Sequence, residues 1–134
     1  MYYWRFAMKI TTFDPLIVTP DAEAVKKVFA DLGFQVTHAP VTTTEVGDAH
    51  IFRMKHEAGY HVDVVSSARE IERDEMQIRM NVDDFEEAYN ILTARGYKNT
   101  RGDDTIDTKS AKAATMVSPS GFRISLVKHI KDHE

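Results

Sequence analysis

Hydrophobic and polar residues are arranged along this chain in two patterns, and each pattern occurs twice. Phe122, Ile124 and Leu126 alternate with Arg123, Ser125 and Val127, the period of a strand with one apolar face. Ser118-Pro119-Ser120-Gly121 precedes it as a tight turn, with Pro119 supplying a fixed φ and Gly121 closing the turn. Glu57-Ala58-Gly59-Tyr60-His61-Val62-Asp63-Val64-Val65 has the same layout. Gly59 and Gly121 stand 62 residues apart, Tyr60 matches Phe122, and Val62 and Val64 match Ile124 and Leu126.

The second pattern is helical. Ala22, Val25, Val28, Phe29 and Leu32 make one apolar stripe, ending at Gly33-Phe34. Phe85, Ala88, Ile91 and Leu92 make another, ending at Gly96-Tyr97, 63 residues further on. Two different elements repeating in one order at nearly one offset indicate two copies of a module of about sixty residues.

Taken in order, Lys9 to Val18 is expected to be a strand, with Pro15 favouring an edge or a bulge. Thr19 is the expected N-cap of the first helix, with Pro20 at its first position and Gly33 at its end. Phe34 to Thr43, His50 to His56 and Tyr60 to Ser66 are the next three strands. Ser67 to Asp74 is a charged connector. Met76 to Val82 alternates cleanly as a strand, and Asp83 or Asp84 caps a helix running to about Arg95. Asn99 to Lys109 holds a weak strand, and Ala113 to Val117 and Phe122 to Val127 complete the second copy. Each module is thus strand-helix-strand-strand-strand. The expected fold is α+β: two βαβββ modules in a curved eight-stranded sheet, with helices on its outer face and a concave inner face that suits a small ligand. The expected boundaries are an N-terminal extension over 1–8, one domain over 9–128 with modules at 9–67 and 75–128, and a charged tail over 129–134.

Composition narrows the classes. The chain has 134 residues, enough for a real core, and is 43% hydrophobic and 28% charged, ordinary values for a globular domain. A formal charge of −4 argues against nucleic acid or an anionic membrane as partner. The absence of cysteine removes disulfide and thiolate chemistry and suits the cytoplasm. No apolar run is long enough to span a membrane, and Arg5 and Lys9 break the aromatic start, which argues against a signal peptide. Met8-Lys9-Ile10 reads as a second start, making Met1–Ala7 either an aromatic extension or an extra edge strand.

The repeated module, with Val18-Thr-Pro-Asp21 leading into Val28-Phe29-Ala-Asp-Leu32-Gly33-Phe34, and Ser118-Pro119-Ser120-Gly121-Phe122-Arg123-Ile124, resembles the vicinal oxygen chelate superfamily. That group includes glyoxalase I, bleomycin-resistance proteins and extradiol dioxygenases. The resemblance covers about Lys9 to Lys128. It implies a fold, and a fold of this kind hosts many chemistries. It also implies ligand positions on the first and last strands of each module, facing the concavity. The repeat places these at Asp14 and Gln77 on the first strands and at Asp63 and Ser125 on the last. By alternation Phe13, Pro15, Ile17, Val62, Val64, Ile78, Met80, Ile124 and Leu126 face the helices, and the four candidates face away.

This set departs from the His, Glu and Gln ligands of related metalloenzymes. An all-oxygen set suits a weakly bound Mg²⁺, Mn²⁺ or Ca²⁺ better than Zn²⁺ or Fe²⁺. Asp14, Asp63 and Gln77 are degenerate metal candidates only, and no tight cofactor is expected. His61 shares parity with Asp63 and is a pocket candidate. His38, His50, His56, His129 and His133 read as surface or edge residues. Arg79 and Arg123 share the concave parity, either as partners of Asp14 and Asp63 or as holders of a carboxylate, phosphate or other oxygen-rich ligand. Met54, Met76, Met80 and Met116 read as core filler. Two function classes follow. One is a small-molecule binder of the resistance-protein kind, using Asp14, His61, Asp63, Gln77, Arg79, Arg123 and Ser125. The other is a metal-dependent lyase, isomerase or dioxygenase. Either is expected to be a homodimer, which would cover the sheet edges.

Overall fold

A computed structural model describes residues 8–44 and 46–129. The expected aromatic extension before Met8 and the end of the tail, with His133, lie outside these residues. The chain runs β1 (Ile10–Thr19), α1 (Ala22–Asp31), β2 (Phe34–His38), β3 (Val41–Thr44), β4 (Gly47–His56) and β5 (His61–Ser66). It continues with β6 (Glu75–Val82), α2 (Phe85–Ala94), β7 (Lys98–Asn99), β8 (Ile106–Asp107), β9 (Ala111–Val117) and β10 (Arg123–His129). The class is α+β, and the two repeats are present. No helix among the described residues is long and apolar enough to cross a membrane.

The strands number ten rather than eight for two local reasons. The single strand expected over Phe34 to Thr43 breaks at Ala39-Pro40, because Pro40 has no N–H to donate to a ladder. Its carbonyl instead accepts from Ile51 N at 2.9 Å, and β2 and β3 pair successively with β4, across a register shift between Val36 and His38. The weak strand expected after Asn99 is two fragments of two residues each, β7 and β8, both paired with β9.

Asp14–Gln77 forms one compact unit; Ile78 onward, with the described residues up to Phe13, forms another. In the first, the strand order is β2-β4-β5-β1, with β1 and β5 parallel and Leu16 opposite Asp63. In the second, the order is β6-β10-β9-β7, with β6 and β10 parallel and Arg79 opposite Ser125. Each unit has its own core. Met54, Val62 and Val64 pack with Ile17, Val25, Phe29, Phe34 and Phe52 in one. Met80, Val82, Phe85, Ala88, Ala114, Met116 and Leu126 form the other.

The repeat extends to individual hydrogen bonds. Asp21 Oδ1 accepts from Ala24 N at 3.1 Å, and Asp84 Oδ1 from Glu87 N at 3.1 Å. The first cap is therefore Asp21, not Thr19. Thr19 Oγ1 accepts instead from Asp21 N at 3.0 Å, and Thr19 is 1% exposed. Gly59 N donates to His56 O at 2.8 Å, and Gly121 N to Ser118 O at 3.0 Å. All four repeat glycines hold positive φ: Gly33 103°, Gly96 91°, Gly59 102° and Gly121 105°.

Three placements differ from the sequence expectation, the first being Pro15, which is exposed on β1. Phe13 is 62% exposed rather than packed toward a helix, since it lies three residues ahead of Leu16, where the β1–β5 register begins. Met76 is 65% exposed near the start of β6, so only Met54, Met80 and Met116 of the four methionines fill cores.

Candidate functional site

Strand alternation settles which side chains point away from the helices. In the Asp14–Gln77 unit, Val62 and Val64 belong to the core under α1, so His61 and Asp63 project from the opposite face. Register adds Leu16 from β1 and Arg53 and Lys55 from β4, opposite Asp63 and His61 respectively. Asp14 lies two residues before Leu16 on the same face of β1. Asp63 is 1% exposed and Asp14 4%, whereas His61 is exposed.

Arg53 Nη1 donates to Asp63 Oδ2 at 3.0 Å. A carboxylate this buried needs such a partner, since an uncompensated charge costs several kcal/mol. The sequence leaves Arg79 and Arg123 either as partners of Asp14 and Asp63 or as holders of an anionic ligand, and does not single out Arg53, which pairs with Asp63. Alternation alone puts Arg53 opposite in sense to Phe52 and Met54. Its pairing with Asp63 depends on the β4–β5 register, which no local pattern states.

The second unit presents a different surface. Met80, Val82, Ile124 and Leu126 pack toward α2, so Arg79, Asn81, Arg123, Ser125 and Val127 face away. Register with β9 adds Thr115 opposite Ser125 and Val117 opposite Arg123, and Lys98 of β7 lies opposite Val117. Arg79 Nη1 donates to Asn81 Oδ1 at 3.3 Å. Arg123 is half-buried and has no ion-pair or hydrogen-bond partner among the described residues. From Ile78 onward, the strand positions that share this face hold no carboxylate. Gln77 has the parity of Arg79 on β6. Glu75 has it too, and its carboxylate is held by Arg69 at 2.9 Å. Lys98 and Thr115 were not singled out from the sequence, because a two-residue strand leaves too little pattern to orient a side chain.

The histidines divide by environment. His56 is structural: its ring lies 5.2 Å from Phe34 and 5.7 Å from Tyr60, and its Nδ1 accepts from Ala58 N at 2.9 Å. It locks the turn where Ser118 Oγ locks the equivalent one, accepting from Phe122 N at 2.9 Å.

The donor chemistry does not fit a transition metal. Asp63 is already paired with a guanidinium, Ser125 offers only a neutral hydroxyl, and none of the four positions supplies an imidazole. Among the described residues no three His, Asp or Glu side chains gather as a metal-binding group.

None of the curated protein sequences matches this chain. Solved structures do. A methylmalonyl-CoA epimerase from Streptomyces coelicolor is 15% identical, with a TM-score of 0.64 over 94% of this chain and 99% of that one. A glyoxalase/bleomycin resistance protein/dioxygenase superfamily member from Vibrio splendidus 12B01 is 14% identical, with a TM-score of 0.61 over 91% and 100%. A glyoxalase I variant from Zea mays is 16% identical, with a TM-score of 0.63, covering 93% of this chain and 45% of that one. At these identities the likeness is one of fold. The sequence profile of one family spans residues 10–126, from β1 to β10, and the chain belongs to the glyoxalase/bleomycin resistance protein/dioxygenase superfamily.

Proposed function

We propose that this protein binds a small anionic molecule, a carboxylate or phosphate, on the sheet face that carries Arg79, Arg123 and Ser125, without a tightly bound transition metal. One observation carries the reading: Arg123 is half-buried on a face shared with Arg79 and Lys98, and from Ile78 onward no strand position on that face supplies a carboxylate to neutralise it. A guanidinium offers a planar fork of donors matched to two oxygens of an anion. Ser125 and Thr115, directly opposite each other on β10 and β9, add hydroxyls that can donate to a third oxygen.

Within the Asp14–Gln77 unit, Asp14, His61, Asp63 and Gln77 are proposed as ligand-binding positions in their own right, with Asp63 acting by holding Arg53. The protein is proposed to act in the cytoplasm, as its lack of cysteine allows, and as a homodimer that covers sheet edges such as β2. Sedimentation at micromolar concentration tests the dimer, and a monomer there would refute it.

The binding test is calorimetric titration with inorganic phosphate and with a dicarboxylate such as malonate. Arg123→Ala and Arg79→Ala are expected to weaken binding at least tenfold, with unfolding midpoints close to wild type. Binding unchanged in both variants, or absent from the wild type, would refute the assignment.

A further inference from the structure

The two modules differ at one place where the repeat makes them comparable. Helix α1 has no fully buried residue, whereas α2 buries Phe85 and Ala88. Between α1 and β2 a groove of about 510 Å³ remains, lined by Glu23, Lys26, Lys27, Ala30, Phe34 and Val36, with Met54 also lining it. It lies on the helix side of the sheet, because Phe34 and Met54 belong to the core under α1. It is therefore distinct from the face that carries Asp63.

In the second module the same place is filled. Tyr89 stands at the repeat position of Lys26, and Asn99 at that of Val36, each 63 residues on. Register confirms the match: Val36 pairs with Met54, and Asn99 with Met116. Tyr89 stacks on Phe85 with ring centroids 5.7 Å apart, and its hydroxyl accepts from Asn99 Nδ2 at 3.3 Å. Asn99 also donates to Asp104 O at 2.9 Å and is 8% exposed. A hydrogen-bonded aromatic plug thus closes one groove. In the other, Lys26 turns its ammonium over the Phe52 ring, 3.8 Å from the centroid, and Val36 stays 45% exposed.

We infer that the α1–β2 groove is a second binding site, for an unbranched monocarboxylic acid with an apolar tail. Phe34, Val36, Ala30 and Met54 give it an apolar floor, to which the methylene stems of the two lysines add. Its volume falls within the usual range for small-molecule sites, about 300–1,000 Å³. Two cations stand at its rim against one carboxylate, and Glu23 already pairs with Lys26 at 2.9 Å. Lys27 has no ion-pair partner among the described residues. The net single positive charge matches one carboxylate head above an apolar tail.

The plug of the second module supplies the test. Decanoate below its micellar concentration is titrated into the full chain by calorimetry, with decan-1-ol as the neutral control. The wild type is expected to bind one decanoate per chain, and decan-1-ol at least tenfold more weakly. The double variant K26Y/V36N, which transfers the plug, is expected to lose decanoate binding at least tenfold. Lys27→Gln, at an exposed position that cannot compromise folding, is expected to weaken decanoate several-fold and leave decan-1-ol unchanged. Equal decanoate binding by wild type and K26Y/V36N, or none by the wild type, would overturn the site. So would a sedimenting mass that falls in K26Y/V36N without any decanoate binding, which would give the groove to a second copy of the chain.

Discussion

Arg53 and Asp63 face each other across β4 and β5 and are joined by a 3.0 Å ion pair, at the repeat positions that Thr115 and Ser125 hold across β9 and β10. One module therefore spends this cross-strand position on a charge pair and the other on two hydroxyls. Asp63 is 1% exposed and the Arg53 side chain 27%, so the carboxylate depends on its partner more than the guanidinium does.

Removing Arg53 alone should accordingly be costly. Arg53→Thr takes the 3.0 Å ion pair from a buried carboxylate, and breaking a buried pair costs up to about 3–5 kcal/mol. R53T/D63S installs the hydroxyl pair of the other module and removes the buried charge altogether. The double variant should be more stable than Arg53→Thr, as read from urea unfolding midpoints. A double variant less stable than the single would show that the pair does not act as a unit.

How much of this was legible in the sequence depends on the range of the interaction. The helices, their glycine ends and the turn-strand units repeat at offsets of 62 and 63, and local patterning revealed them. Asp63 was identified as facing away from the helix by alternation alone. Its partner was not, because Arg53 meets it only through antiparallel register, and register across β4 and β5 is settled by the whole ladder from His50–Ser66 to Lys55–His61. The groove beside α1 was equally hidden. The stripe of Val25, Val28 and Phe29 matches that of α2, and the difference lies in Lys26 and Val36, whose counterparts Tyr89 and Asn99 find each other only in the fold.

The glycines give a second measurable asymmetry. An added methyl group at Gly33 would stand 2.9 Å from His56 Nε2, and at Gly96 3.0 Å from Pro119 Cγ, whereas nothing lies within 4 Å at Gly59 or Gly121. All four hold a φ that costs an L-residue about 1–2 kcal/mol. Gly59→Ala and Gly121→Ala should lose about that amount. Gly33→Ala and Gly96→Ala should lose more, since the His56 ring is held by Ala58 N and Pro119 has little freedom to move. Thermal unfolding of the four variants checks the order, and a milder effect at Gly33 than at Gly59 would contradict it.

The plug in the second module carries its own prediction. Asn99 Oδ1 accepts from Arg101 N at 2.9 Å, while its amide serves Asp104 O and Tyr89. Asn99→Val leaves these groups unpaired beside a position only 8% exposed, at a cost of about 1–3 kcal/mol. The reverse exchange, Val36→Asn, falls on a half-exposed site and should stay within about 0.5 kcal/mol of wild type. Comparable losses at both positions, measured by chemical denaturation, would remove the contrast between a filled groove and an open one.

Metal content is the sharpest discriminator between the two classes of function that the family contains. A tight Zn²⁺ or Fe²⁺ centre draws on imidazole, thiolate or several carboxylates. Of the four strand positions implicated by the repeat, Gln77 and Ser125 carry no charge, and Asp63 must first release Arg53 to serve as a ligand. That release exposes a guanidinium to an incoming dication, and like charges at such range repel. Protein purified without an affinity tag should therefore contain zinc, nickel and iron well below one equivalent by elemental analysis. Its affinity for phosphate or malonate should be unchanged after EDTA, because the proposed site uses fixed cations in place of a metal. Stoichiometric metal that is lost in Asp14→Ala and Asp63→Ala, with anion binding lost alongside it, would return the protein to the metalloenzyme class.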